Sequence, residues 1–221
     1  MNNTLLVVDG LDGSGKSTQT QLLAQRIQDT GRKVKLISFP DYKEPSSALV
    51  KMYLAGELSE NPEGVNAYAA STFYAVDRYA SYKKFWESDY RAGTVILASR
   101  YVTSNMMHQM SKLPEDQWPE FLRWLRDFEY NRLGLPQPNK VLYLDMPRPV
   151  ADKLILSRYQ GDASKKDLHE RNRAYMTRCE EAARFAARSD GWQVIECSDG
   201  TQPLPLTTIG ERLWAAVEEF L

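Results

Sequence analysis

Gly10-Leu11-Asp12-Gly13-Ser14-Gly15-Lys16-Ser17 fits the spacing G-x-x-x-x-G-K-[ST] residue for residue, and Thr18 follows it. Before it lies Leu5-Leu6-Val7-Val8, an apolar run suited to a buried parallel strand. After it, Gln19 to Asp29 places Leu22, Leu23 and Ile27 on one face of a helix. Strand, loop and helix in that order form a phosphate cradle. The glycines let the backbone curl so that successive N–H groups point inward, and the helix N-terminus adds roughly half a positive charge. Gly10, Gly13, Ser14, Gly15, Lys16, Ser17 and Thr18 are therefore the expected nucleotide-binding residues, with Lys16 on the outer phosphates and the Ser17 hydroxyl on Mg²⁺. The alternative is a glycine-rich turn carrying a chance lysine, and it does not require the flanking strand and helix.

The rest of the chain supplies no rival signal. Lys and Arg number 28 against 29 Asp and Glu, so no global charge draws the protein to nucleic acid or to a membrane. Anion recognition must come from local clusters. Cys179 and Cys197 lack metal-ligand spacing and read as reduced core thiols. No run of 18 apolar residues occurs and the chain enters its first strand without a charged leader, so a cytoplasmic protein is expected. The 221 residues suit one domain, 1–221.

In chain order, Lys33 to Phe39 reads as a second strand and completes a βαβ unit, which places Phe39-Pro40 beside the phosphate loop at the carboxyl edge of a sheet. Val65 to Glu87 reads as a long aromatic helix. Its stripe is first a core signal, although Arg78 among so many apolar neighbours needs a partner. Thr94 to Ala98 is a central strand delivering Ser99-Arg100-Tyr101 to the same edge. His108 has no neighbouring His or Cys and reads as a packing or surface residue. A helix opened by Pro114 carries Trp118, Phe121, Leu122, Trp124, Leu125 and Phe128, more apolar surface than one monomer is expected to cover, which points to a partner subunit. Lys140 to Asp145 and Trp192 to Cys197 are the remaining strands. The polar, basic stretch 157–170 is either a solvated connection or a mobile lid bringing cations to a phosphate site.

Five strands alternating with helices predict an α/β, three-layer P-loop kinase fold: a five-stranded parallel sheet with helices on both faces and a lid at about 157–170. With these landmarks in order, the chain resembles the thymidylate kinase family over nearly its whole length. The resemblance rests on Asp9-Gly10-Leu11-Asp12, Phe39-Pro40, Arg78 in the aromatic helix, Arg100-Tyr101 with Ser104 and Gln109, Leu144-Asp145, and Asp167-Leu168-His169-Glu170 after the lid. It implies transfer of the γ-phosphoryl group of ATP to dTMP in the presence of Mg²⁺, by a homodimer. It also implies that Asp12 approaches the acceptor sugar and that Phe39, Pro40 and Tyr74 line the acceptor site, Tyr74 near thymine. Arg78 reads its carbonyl edge, Arg100 grips its phosphate, and Ser104 and Gln109 help hold the base. The loop has Gly13-Ser14 where some members carry an arginine, so the transition-state cation is expected from the lid, Arg158 first and Lys165 or Lys166 next.

Three departures stand out. Ser99 replaces the acid that usually precedes the Arg-Tyr pair, His108 replaces an aromatic before Gln109, and Tyr42 stands where a basic residue is frequent. They keep two alternatives open: a deoxynucleoside kinase or other nucleotide kinase, with Asp12 or Asp41 as base, and a nucleotide-binding regulator with weakened catalysis.

Overall fold

The computed structural model describes residues 3–158 and 172–221, with Pro62 and Arg158 described in their backbones alone. The strands are β1 (Leu5–Asp9), β2 (Val34–Ser38), β3 (Val95–Ser99), β4 (Lys140–Asp145) and β5 (Gln193–Glu196). All their pairings are parallel, in the order β2-β3-β1-β4-β5. β1 is central because its five residues, Leu-Leu-Val-Val-Asp, are all buried, as a strand covered on both faces requires.

The pleat sends alternate residues of β1 into two cores. Leu5 and Val7 join Ile96, Ala98 and Tyr143 in one, while Leu6 and Val8 join Leu97, Leu142 and Leu144 in the other. Helices α1 (Lys16–Asp29), α7 (Arg148–Arg158) and α9 (Leu206–Val217) supply the second core through Leu23, Ile27, Val150, Ile209 and Leu213. The first takes its side chains from α3 (Ala67–Ser81), α5 (Val102–His108), α6 (Trp118–Arg126) and α8 (Arg173–Asp190). Short helices α2 (Ala48–Leu54) and α4 (Glu87–Arg91) lie between them in the chain. The result is the three-layer α/β architecture expected from the alternation of strands and helices.

Two expectations need correction. The aromatic helix does not run unbroken to Glu87: α3 ends at Ser81, a π-helical turn covers Tyr82–Trp86, and α4 follows. Much of the apolar surface around α6 is covered within the monomer: Trp118, Phe121, Leu122 and Leu125 are buried, Trp118 edge-on to Phe185 of α8 at 5.4 Å, while Trp124 and, just beyond the helix, Phe128 are half-buried and stacked at 5.3 Å. A second π-helical turn, Asp127–Arg132, follows α6 and holds the buried Glu129.

Candidate active site

The carboxyl ends of β1 and β3 bring the phosphate loop and the Ser99-Arg100 turn side by side, because those strands are direct neighbours with Val8 opposite Ser99. Gly15 caps α1 in the left-handed region at φ 85, and Gly13, at φ 84, could not carry a side chain, whose Cβ would lie 2.7 Å from the Ala151 carbonyl oxygen. The glycines thus serve loop geometry, as the motif requires. The Ser14 hydroxyl is buried without a hydrogen-bond partner among the described residues, while Ser17 and Thr18 are exposed.

Lys16 is buried, donates to the Leu11 carbonyl at 2.8 Å and lies 3.8 Å from Oδ1 of Asp12. Arg100 reaches the same Oδ1 through Nη2, and its Nη1 lies 3.9 Å from Oδ1 of Asp9. Burial opposes the charge on Arg100, but Asp12 and then Asp9 more than restore it, so its pKa is raised. The Arg100 backbone is left-handed at φ 67, a strain of about 1 kcal/mol for a side-chain-bearing residue, held in place by its N–H on the Val8 carbonyl at 3.1 Å. Asp9 is fully buried and accepts from the Gly10 N–H at 2.8 Å, Thr103 Oγ1 at 2.5 Å and Ser104 Oγ at 2.8 Å. Two cations therefore converge on one carboxylate oxygen, one from the phosphate loop and one from the turn after β3.

A cleft of about 740 Å³ runs along this edge. Its polar end is formed by the loop residues Asp12 to Thr18 together with Ser38, Phe39, Pro40, Tyr42, Ser99 and Arg100. Its other end is apolar, made by Met146, Leu154 and Ile155 on one side and Pro203, Leu204, Pro205, Leu206 and Ile209 on the other. Gln19 ties that second wall to α1 by donating to the Leu206 carbonyl at 3.0 Å. Nothing in the sequence pattern marked this apolar wall, whose residues come from two distant stretches of the chain.

The expected site residues divide. The phosphate loop, Asp12, Phe39, Pro40 and Arg100 share the cleft. The Phe39-Pro40 peptide is cis, and the loop after it is pinned by buried Asp77 of α3, which accepts from the Asp41 N–H at 2.8 Å and from Ser46 Oγ at 2.6 Å. Ser104 sits behind Arg100 on Asp9, and Tyr74 is half-buried, edge-on to Tyr53 at 6.4 Å. Gln109 is buried, and its Oε1 has no hydrogen-bond partner among the described residues.

Arg78 is not brought to the cleft. It is 1 % exposed, and Nε and Nη2 clasp Glu129 Oε2 and Oε1 at 2.6 and 2.5 Å while Nη1 donates to the Tyr101 carbonyl at 3.3 Å. Asn105 Nδ2 adds a donor to Glu129 Oε1 at 3.2 Å. Burial opposes the charge on Arg78, yet Glu129 beside it raises its pKa above the ordinary value. In this structure Arg78, expected to read the acceptor base, stands in a buried ion pair, with Glu129 in the guanidinium's planar fork. Arg158 lies at the end of α7, while Lys165, Lys166 and the expected lid from 159 to 170 lie outside the described residues.

Among the described residues no group of three or more His, Cys, Asp and Glu side chains is placed to hold a metal by itself. These residues suit Mg²⁺ held by nucleotide phosphates and the exposed Ser17 hydroxyl, with the loop backbone and the Lys16 ammonium binding the phosphates. Fold and loop together define a P-loop nucleotide-binding protein. A family model described as thymidylate kinase matches residues 8–203. The thymidylate kinase of Mycobacterium tuberculosis is 29% identical over 170 residues, covering 76% of this chain and 78% of that protein. That of Thermomicrobium roseum is 26% identical over 219 residues, 98% of this chain and 95% of its own length. The solved structure of thymidylate kinase from Candida albicans superposes with a TM-score of 0.71 at 18% identity, covering 99% of this chain and 92% of that one, a likeness of fold. The chain belongs to the thymidylate kinase family. Among the described residues no helix is long and apolar enough to cross a membrane.

Proposed function

We propose that the protein is a nucleoside monophosphate kinase that transfers the γ-phosphoryl group of ATP to dTMP, yielding dTDP and ADP. The observation that carries this reading is the convergence of Lys16 and Arg100 on Oδ1 of Asp12. Two phosphate-seeking cations so close together suit a reaction in which donor and acceptor both bring phosphate. A nucleoside acceptor carries no phosphate for Arg100 to meet.

Catalysis is then alignment and charge neutralisation. The apolar wall at Pro203 to Leu206 and Ile209 receives the adenine, the backbone N–H groups of the loop hold the phosphates, and Lys16 leaves the Leu11 carbonyl for the β- and γ-phosphates. Arg100 exchanges Asp12 for the acceptor phosphate, whose oxygen attacks the γ-phosphorus in line as the bond to the β-phosphate oxygen breaks. The acceptor is already anionic near neutral pH, so no strong base is needed. Ser17, with the ATP phosphates, would hold Mg²⁺, which would further neutralise the transferring group. Phe39, Pro40 and Tyr74 line the acceptor side, with Ser104 and Gln109 behind it. Arg158, Lys165 and Lys166 are the candidates for a transition-state cation. Ser99 in place of an acid makes the metal more dependent on the nucleotide. A cytoplasmic homodimer completes the proposal, on the family resemblance alone.

Calorimetric titration of ATP and dTMP separately into wild type and Arg100→Ala tests the assignment of the two ends of the cleft. The variant should lose dTMP affinity about tenfold or more, as for a charge-assisted phosphate contact, and keep its ATP affinity. Loss of ATP binding with dTMP binding intact would place Arg100 on the donor and refute it.

A further inference from the structure

His108 closes α5 one turn beyond Ser104, 7 % exposed, with its ring between Arg100 and Cys179. Nε2 lies 3.5 Å from Arg100 Nη1, and Nδ1 lies 3.6 Å from Cys179 Sγ. Which nitrogen carries the proton follows from counting hydrogens. Ser111 Oγ donates its single hydrogen to the His108 carbonyl at 2.9 Å, so toward Cys179 Sγ, 3.3 Å away, it can only accept. The Cys179 thiol supplies that hydrogen: it is fully buried, and burial pushes its pKa up to about 12. With that hydrogen on Ser111 the sulfur is free to accept Nδ1–H, and it is the guanidinium on the other side of the ring that selects this tautomer. Nε2 then presents a lone pair to a guanidinium that can only donate. A second positive charge on the ring would also face Arg100 directly. Tyr175 steadies the residue, its hydroxyl donating to the His108 carbonyl at 2.7 Å and its ring stacked on the imidazole at 6.4 Å.

We propose that His108 is a positioning residue for the acceptor phosphate: its neutral imidazole, protonated at Nδ1 toward the Cys179–Ser111 chain, accepts from Arg100 at Nε2 and aims the guanidinium at the phosphate loop. The proposal rests on the reading of Arg100 as the acceptor-phosphate ligand. Its physical advantage is charge. Asp12 and Asp9 hold Arg100 by cancelling the positive potential that a phosphate needs, whereas a neutral acceptor fixes the side chain and leaves that potential intact.

The chain has two histidines, so nitrogen-15 spectra of the imidazole rings are assignable with one variant, His169→Gln. At pH 7.5, His108 should show a protonated Nδ1 and a bare Nε2; the Nε2–H tautomer or a doubly protonated ring overturns the proposal. Titration with dTMP and thymidine gives the functional half. His108→Leu should weaken dTMP about tenfold and leave thymidine within about twofold, while His108→Gln, whose amide oxygen is a neutral acceptor, should recover most of the loss. Equal losses for both ligands, no loss, or no recovery in the glutamine variant would make His108 structural and overturn the assignment. Arg100→Ala separates the two layers. If it leaves dTMP binding unchanged, both readings fall; if it weakens dTMP while His108→Leu does not, the role of His108 alone falls.

Discussion

Glu129→Ala should be among the most damaging single substitutions in this protein, although Glu129 touches neither cleft nor phosphate loop. Its carboxylate is fully buried and takes both forks of Arg78, itself 1 % exposed. Removing it leaves a guanidinium in the interior with, among the described residues, only the Tyr101 carbonyl to meet it, and Asn105 Nδ2 with the Ser71 carbonyl. Breaking a buried pair from one side costs about 3–5 kcal/mol, whereas replacing both partners by apolar groups is often near neutral. At a urea slope of about 2 kcal/mol per molar, Glu129→Ala should lower the unfolding midpoint by about 2 M. The double variant Arg78→Met/Glu129→Leu should regain most of that loss, and it should bind dTMP within about threefold of wild type, an effect below about 1 kcal/mol. Urea denaturation followed by tryptophan fluorescence, with calorimetric titration of dTMP, measures both. A double variant that is stable yet more than about tenfold weaker for dTMP would show that Arg78 leaves Glu129 for the ligand, and would refute the brace.

Lys16→Ala should abolish most phosphoryl transfer with a melting curve close to wild type, since the ammonium serves phosphate; near-normal turnover would sink the phosphate-loop assignment. Ser99→Asp should lower the Mg²⁺ concentration for half-maximal dTMP phosphorylation, because a carboxylate at the end of β3 attracts the divalent ion more strongly than it attracts Arg100; an unchanged concentration at saturating ATP contradicts this. Lys112 donates to the Tyr53 hydroxyl and the Val65 carbonyl, and burial lowers its pKa from 10.5 to about 7. The folded state therefore binds fewer protons than the unfolded chain between about pH 7 and 10.5, so this group makes stability rise with pH across that window. Lys112→Met should flatten that rise between pH 7 and pH 9 in urea titrations; an identical slope in both proteins would contradict it.

What the sequence disclosed was what local pattern controls. The apolar runs of β1 and β3 declare central strands, and the glycine spacing declares a phosphate loop whose contents need no distant partner. The chain gave less away where a distant residue decides the outcome. Arg78 reads as a ligand contact until Glu129, 51 positions later and turned inward by a π-helical turn, takes its fork. The π-helical turn after Ser81 is a backbone adjustment that aromatic periodicity does not encode. Trp118 and Phe121 read as surplus apolar area until the tertiary fold covers them, Trp118 meeting Phe185 of α8 across 67 positions. The apolar wall of the cleft was illegible for a similar reason, since Leu154 and Leu206 meet only through the tertiary fold.

The central claim, phosphate-to-phosphate transfer between Lys16 and Arg100, is tested most directly by identifying the product. Phosphorus-31 spectra of the purified protein with Mg²⁺, ATP and dTMP should show ADP and dTDP forming in equal amounts, with no phosphorylation of thymidine in a parallel sample. Phosphorylation of thymidine in place of dTMP, or inorganic phosphate released without dTDP, would contradict it.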